Sequence, residues 1–115
     1  MLSLQLEGYE LDQSTLSAKM EQFLDEKISE IKRIYGNDIR IVIEGHTCDL
    51  GKVEYNRSLG LKRANAVRDY LIGKGGYAPN HIEAVTKGPG SPIAPNDTEE
   101  NRKKNRRVVF IISDI

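Results

Sequence analysis

Arg63 falls where an arginine is out of place. At about 100° per residue it lies in the middle of an apolar stripe that includes Leu59, Ala66, Val67, Tyr70 and Leu71. Its guanidinium therefore points toward a core, and a buried guanidinium without a partner is very costly. Asn56 lies two helical turns earlier on nearly the same face, and both residues face the turn Thr47–Gly51. A helix N-terminus offers free N–H groups and partial positive charge to a carboxylate, and an arginine adds a bidentate grip. The Asp49 carboxylate or the Thr47 hydroxyl then offers a place for an ammonium group. These residue types describe a bipolar pocket suited to a zwitterion such as an amino-acid end. They equally describe an internal Arg63–Asp49 pair that pins the turn to the helix, and the residues alone leave both readings open.

The elements around this cluster can be read from periodicity. Ile39, Ile41 and Ile43 alternate with Arg40, Val42 and Glu44, which predicts a strand over 38–44 that ends at Gly45. A helix is expected from Lys52 or Val53 to about Gly73, with Lys74-Gly75-Gly76 ending it. Upstream, Leu2–Leu6 reads as a short strand. Met20, Phe23, Leu24, Ile28, Ile31 and Tyr35 trace one face of an amphipathic helix. Asp12 and Ser14 are its candidate N-caps, and Gly36-Asn37 its stop, with a left-handed cap. Pro79-Asn80 turns the chain into a strand over 81–87, with His81 at its start. Residues 88–101 read as a loop rich in Gly, Pro, Asn and Ser, a length often tied to function. Val108–Ile112, apolar on both faces, reads as a strand buried between neighbours.

The order β-α-β-α-β-β defines an α/β (α+β) two-layer sandwich, a mixed four-stranded sheet with two helices on one face. Residues 1–115 are expected to form a single domain with a modest core. That architecture hosts many functions.

Composition narrows the classes. Net charge is zero, yet residues 1–49 carry five Lys/Arg against ten Asp/Glu and residues 50–115 carry twelve against seven. The basic excess gathers at Arg102, Lys103, Lys104, Arg106 and Arg107, which suits either an anionic partner or a solvated face beside Asp97, Glu99 and Glu100. Cys48 is the only cysteine, so an intrachain disulfide and a multi-cysteine metal site are excluded; it reads as a small packing residue rather than a reactive thiol. No stretch approaches the roughly 20 apolar residues of a membrane helix. Met1–Glu7 lacks the basic and apolar regions of a signal peptide, which leaves the compartment open.

Catalysis is not expected. His46, Cys48 and Asp49 suggest a nucleophile and base, but no oxyanion-hole motif accompanies them. His46, Asp49 and His81 match no recognised metal spacing, so no metal or cofactor is expected. Gly88-Pro89-Gly90 is followed by no helix opening with Lys-Ser/Thr, as a phosphate loop requires. Nucleic-acid binding on a four-stranded sheet relies on stacked aromatics, and the strands here offer almost only Phe110.

The run from Ile43 to Leu71 resembles the signature of OmpA-like peptidoglycan-binding domains, a family that includes the peptidoglycan-associated lipoproteins and the wall anchors of flagellar stators. The family pattern is G-H-T-D-x-x-G-x-x-x-x-N-x-x-L-S-x-x-R-A-x-x-V. Gly45, His46, Thr47, Gly51, Asn56, Leu59, Arg63, Ala64 and Val67 match it in register. Ile82, Gly88, Gly90 and Pro92 resemble a downstream segment with altered spacing, and Arg102 with Asn105-Arg106-Arg107-Val108 resembles the R-x-x-N-R-R-V ending.

The resemblance implies non-covalent anchoring to peptidoglycan through the diaminopimelate of its stem peptide, whose side chain ends in a carboxylate and an ammonium. The family arginine aligned with Arg63 pairs with the carboxylate, and an aspartate directly after the threonine grips the ammonium. Thr47, Cys48, Asp49, Asn56, Leu59, Arg63 and Arg106 are thereby the expected peptidoglycan-binding residues. Arg106 contacts peptide or glycan in this reading, or forms a surface ion pair in the alternative. The resemblance also implies a periplasmic location, with tethering to the outer or inner membrane through a segment not in this chain. Other envelope proteins are the further partners it allows.

The chain departs from the pattern at one site position: Cys48 stands where the family has the acid, and Asp49 follows one residue later. Three outcomes follow. Asp49 takes over the ammonium, backbone carbonyls or Thr47 take it, or the ligand differs. An envelope interaction module that has lost diaminopimelate binding is the alternative function.

Overall fold

The computed structural model describes residues Leu2–Asp114. Strand β1 (Leu2–Leu6) leads through an irregular segment to helix α1 (Ala18–Tyr35), then β2 (Ile39–His46) and α2 (Val53–Gly75). A single 3-10 turn (Pro79–His81), β3 (Ile82–Gly88), α3 (Glu99–Asn105) and β4 (Arg107–Asp114) complete the order. The sheet runs β1-β4-β2-β3, with β2 and β3 parallel and the other two pairings antiparallel. This is the mixed four-stranded sandwich expected from the alternation of strand and helix patterns.

Register sets the core. Leu4 opposes Phe110, Phe110 opposes Ile43, and Ile43 opposes Ala84, so one row of inward side chains crosses all four strands. Against this face pack Met20, Leu24, Ile28 and Ile31 of α1 and Ala64, Val67 and Leu71 of α2. Val108, Phe110 and Ile112 are buried on that face, whereas Val109 and Ile111 on the other are only half-buried. The continuous apolar run of β4 thus reflects a central strand covered by helices on one face, rather than one buried on both.

Several boundaries differ from expectation. The N-cap of α1 is Ser17, whose Oγ accepts the Met20 amide at 3.2 Å; Asp12 instead adopts a left-handed φ of 64° well before the helix. Gly36 has a positive φ of 70° but an extended ψ of −148°, so it stops α1 without the left-handed cap expected. Helix α2 runs to Gly75, and Gly76 caps it at φ 69°, its N–H bonding to the Ile72 carbonyl at 3.1 Å. His81 belongs to the 3-10 turn and not to β3.

The larger correction is α3. Its seven residues, EENRKKN, contain no apolar side chain and so carry no periodic signal. What makes it helical is its ends: Thr98 caps the Asn101 amide at 3.1 Å, and the buried Asn105 ties the far end to the preceding loop. The expected loop is therefore shorter and closes on a third helix.

Candidate functional site

Two glycines bring α2 onto β2. A Cβ at Gly45 would collide with the Gly60 carbonyl, and one at Gly60 would lie 2.5 Å from Thr86 Oγ1 and 2.9 Å from the Gly45 carbonyl. Only bare backbones fit at this crossing. Gly60 lies one turn before Arg63, so the crossing carries the Arg63 guanidinium to the end of β2, where Nη1 donates to the His46 carbonyl at 3.0 Å.

Arg63 is completely buried. Its Nε donates to the Gln13 carbonyl at 2.7 Å and its Nη2 to the Glu10 carbonyl at 3.1 Å. Its guanidinium carbon lies 4.8 Å from the centre of the Tyr9 ring, within cation–π range. Burial lowers the Arg63 pKa to about 10, so the group stays charged at neutral pH. The same burial pushes the Tyr9 phenol well above its ordinary range. No carboxylate pairs with Arg63 among the described residues. The internal Arg63–Asp49 pair is not formed: Asp49 stands exposed on the turn and makes no ion pair among the described residues.

The turn between β2 and α2 is fixed by Asn56, whose Nδ2 donates to the Leu50 carbonyl at 2.9 Å, and by Gly51 at φ 95°. A side chain at φ 95° is strained, which is why glycine stands there. The Thr47 amide donates to the Gly88 carbonyl at 3.0 Å, and its buried hydroxyl has no partner among the described residues. Leu59 is buried.

Cys48 is buried, with Sγ 3.9 Å from Arg106 Nη1. Arg106 is itself 1% exposed: its Nε donates to the Tyr9 carbonyl at 2.8 Å, and Nη1 and Nη2 reach the two Glu99 oxygens at 3.3 and 2.6 Å. Its ion pair is therefore bidentate, with the arginine buried and the Glu99 side chain at the surface. The Arg106 hydrogen bond holds the Glu99 carboxyl below its usual range. Arg63, Cys48 and Arg106 converge around Tyr9, while Asn56 and Thr47 shape the turn beside them and Asp49 lies outside.

Two contributors carried no sequence expectation. Tyr9, with its fully buried ring, is one. The carbonyls of Glu10 and Gln13 are another, and backbone acceptors leave no residue-type signal. Glu99 lies within what reads as a loop and charged tail. Asn105 accepts the Ile93 and Ala94 amides at 2.8 and 3.1 Å, and donates to the Ala94 carbonyl and to Asn96 Oδ1 at 2.9 and 2.8 Å. Beside it, Arg107 Nη2 donates to the Ser91 carbonyl at 3.0 Å. Asn105 was signalled only by the family ending, and Arg107 by that ending and by the basic cluster.

A four-stranded mixed sheet with α1 and α2 on one face, and a buried arginine at the β2–α2 turn, defines the class of module. The OmpA family model matches residues 9–106, and the chain belongs to that family. The peptidoglycan-associated lipoprotein of Pseudomonas aeruginosa is 38% identical over 100 residues, covering 87% of this chain and 57% of that protein. The chain thus spans a little over half the length of that relative. Among crystal structures, the peptidoglycan-associated lipoprotein from Burkholderia pseudomallei superposes with a TM-score of 0.83 at 28% identity, covering 95% of this chain and 89% of that one. The periplasmic domain of Helicobacter pylori MotB gives 0.82 at 28%, covering 97% and 75%.

Proposed function

We propose that residues 1–115 act as one non-catalytic wall-binding unit, anchoring its parent protein to peptidoglycan in the periplasm. The bound element is the diaminopimelate of the stem peptide. Arg63 receives its carboxylate, Asn56 and Thr47 hold the turn that presents the site, and the buried Leu59 contributes to it. Cys48 and Arg106 form the wall beyond. Asp49, adjacent to that wall on the exposed turn, is the acid available to the ammonium.

The observation that carries this reading is a fully buried guanidinium with only neutral acceptors and no carboxylate partner among the described residues. A cation that burial has stripped of water gains most from a carboxylate. Family membership and relatives named for peptidoglycan association support the choice of ligand. The parent protein's membrane tether lies within this proposal; no helix among the described residues is long and apolar enough to cross a membrane.

Co-sedimentation with purified diaminopimelate-type peptidoglycan tests the proposal, using wild type, Arg63→Lys, Asp49→Ala and Cys48→Asp, each checked for folding by circular dichroism. Wild type is expected in the pellet, Arg63→Lys and Asp49→Ala reduced, and Cys48→Asp retained or strengthened. Folded wild type left in the supernatant contradicts the proposal. Loss in Arg63→Lys alone keeps the carboxylate clamp and removes Asp49 from it.

A further inference from the structure

Two of the three carbonyls that fill Arg63 come from one short strap, Glu10–Gln13. The strap leaves β1 through Gly8 at φ 96°. It starts from Tyr9, whose ring is buried and whose carbonyl accepts from Arg106 at 2.8 Å. Beyond that anchor the strap closes on itself, the Gln13 amide donating to the Glu10 carbonyl at 3.1 Å and the Glu10 amide to Gln13 Oε1 at 2.8 Å. Glu10, Leu11 and Asp12 are exposed, and Leu11 is 48% exposed although apolar. Asp12 holds a φ of 64°, a left-handed conformation disfavoured away from glycine. Apart from Arg63, Gln13 Nε2 donates to the Thr15 carbonyl at 3.0 Å and reaches Met20 Sδ at 3.9 Å, and two further side-chain contacts tie the Glu10–Asp12 part outward. The Tyr55 hydroxyl donates to Asp12 Oδ1 at 2.8 Å, and Lys103 Nζ lies 3.7 Å from Glu10 Oε1 between two exposed side chains. Exposed ion pairs of the second kind are weak.

We infer that the strap is a built-in competitor for the carboxylate site: the Glu10 and Gln13 carbonyls occupy the guanidinium edges that a ligand carboxylate takes, and the Tyr55–Asp12 hydrogen bond governs how readily they leave. This rests on the reading of Arg63 as a carboxylate clamp. Without ligand, the carbonyls spare the molecule a bare buried cation. With ligand, a carboxylate adds a full charge–charge attraction and a bidentate fit to bonds the guanidinium otherwise makes with neutral carbonyls. The Glu10 carbonyl belongs to an exposed residue and keeps its bond from the Gln13 amide at 3.1 Å, while the Gln13 carbonyl, on a half-buried residue, turns to water. Asp12 is then free to leave its left-handed conformation. Tyr55 is a positioning residue, acting on access to Arg63 through the strap.

The test titrates a soluble muropeptide containing diaminopimelate into wild type, Tyr55→Phe and Asp12→Gly by calorimetry, with thermal melts to verify folding. Amide hydrogen exchange is read over residues 10–13. Each variant removes the tie from one side, and Gly also tolerates the backbone conformation at position 12. Both variants are expected to bind about threefold to tenfold more tightly than wild type, the worth of one modest hydrogen bond. Strap amides are expected to exchange faster in both variants and in muropeptide-bound wild type. Wild-type binding without tightening in both variants, or with strap amides no faster on binding, overturns the strap but leaves the clamp standing. No binding by any of the three overturns both.

Discussion

Gly45 on β2 and Gly60 on α2 meet backbone to backbone, and neither has room for a methyl group. This contact sets the height of α2 over the sheet and therefore the depth of Arg63. Gly60→Ala places its Cβ 2.5 Å from Thr86 Oγ1. The expected loss in urea unfolding is about 1–3 kcal/mol, typical of an overpacked core. Gly45→Ala meets the Gly60 carbonyl rather than a side chain that can turn away, and is expected to cost more. Equal, small effects in the two variants would contradict the crossing.

Arg63 also stabilises the fold. Arg63→Ala leaves the His46 carbonyl without its side-chain donor, empties a buried volume and frees the strap. The expected cost is about 2–4 kcal/mol, combining an unsatisfied buried acceptor with a cavity. Chemical denaturation checks this, and a loss below about 0.5 kcal/mol, the range of ordinary surface substitutions, would contradict it. Binding defects of Arg63→Ala therefore need Arg63→Lys beside them.

His46 supplies a pH dependence. It is buried at the end of β2, its Nδ1 has no partner among the described residues, and its Nε2 lies 3.4 Å from Glu44 Oε1. Burial, and then the Arg107 charge, lower its pKa below the ordinary 6.5, with Lys87 adding and Glu44 opposing. A depressed folded-state value means that the unfolded chain binds the proton more tightly. The contribution is thus present above pH 6.5 and is lost as pH falls through the folded value. Unfolding free energies measured at about pH 7.5 and about pH 5, either side of histidine's ordinary range, are expected to fall more in wild type than in His46→Gln. Equal falls would contradict the assignment.

Asn105 closes the loop before α3 with four hydrogen bonds to residues 93–96. Asn105→Ala is expected to cost about 1–3 kcal/mol, since a buried amide and its four bonds to half-buried or exposed loop residues are lost together. Limited proteolysis is expected to cut residues 88–98 faster than in wild type. Unchanged cleavage would show that α3 is held by other contacts.

These residues also indicate what the sequence could reveal. Alternation in Ile39–Ile43 and the stripe around Arg63 follow from burial on one face, so strands, helices and the buried arginine were legible from periodicity. Helix α3 was not, because a seven-residue helix of polar residues is specified by its cap and by Asn105, not by a pattern. Arg63's burial was legible, but its partners were not: they are backbone carbonyls, two of them 50 and 53 residues away in sequence, and any residue type supplies a carbonyl. The pairing of the buried Arg106 depended on Glu99, whose position only α3 defines.

The most direct test of the central claim locates the ligand on the molecule. Nuclear magnetic resonance titration of 15N-labelled wild type with a soluble diaminopimelate muropeptide would follow the Arg63 Nε–H, amides 46–51 and the basic helix α3. The account predicts saturable shifts at the Arg63 Nε–H and in 46–51 together, with Arg102–Lys104 unaffected. An unmoved Arg63 signal at saturating muropeptide would contradict it.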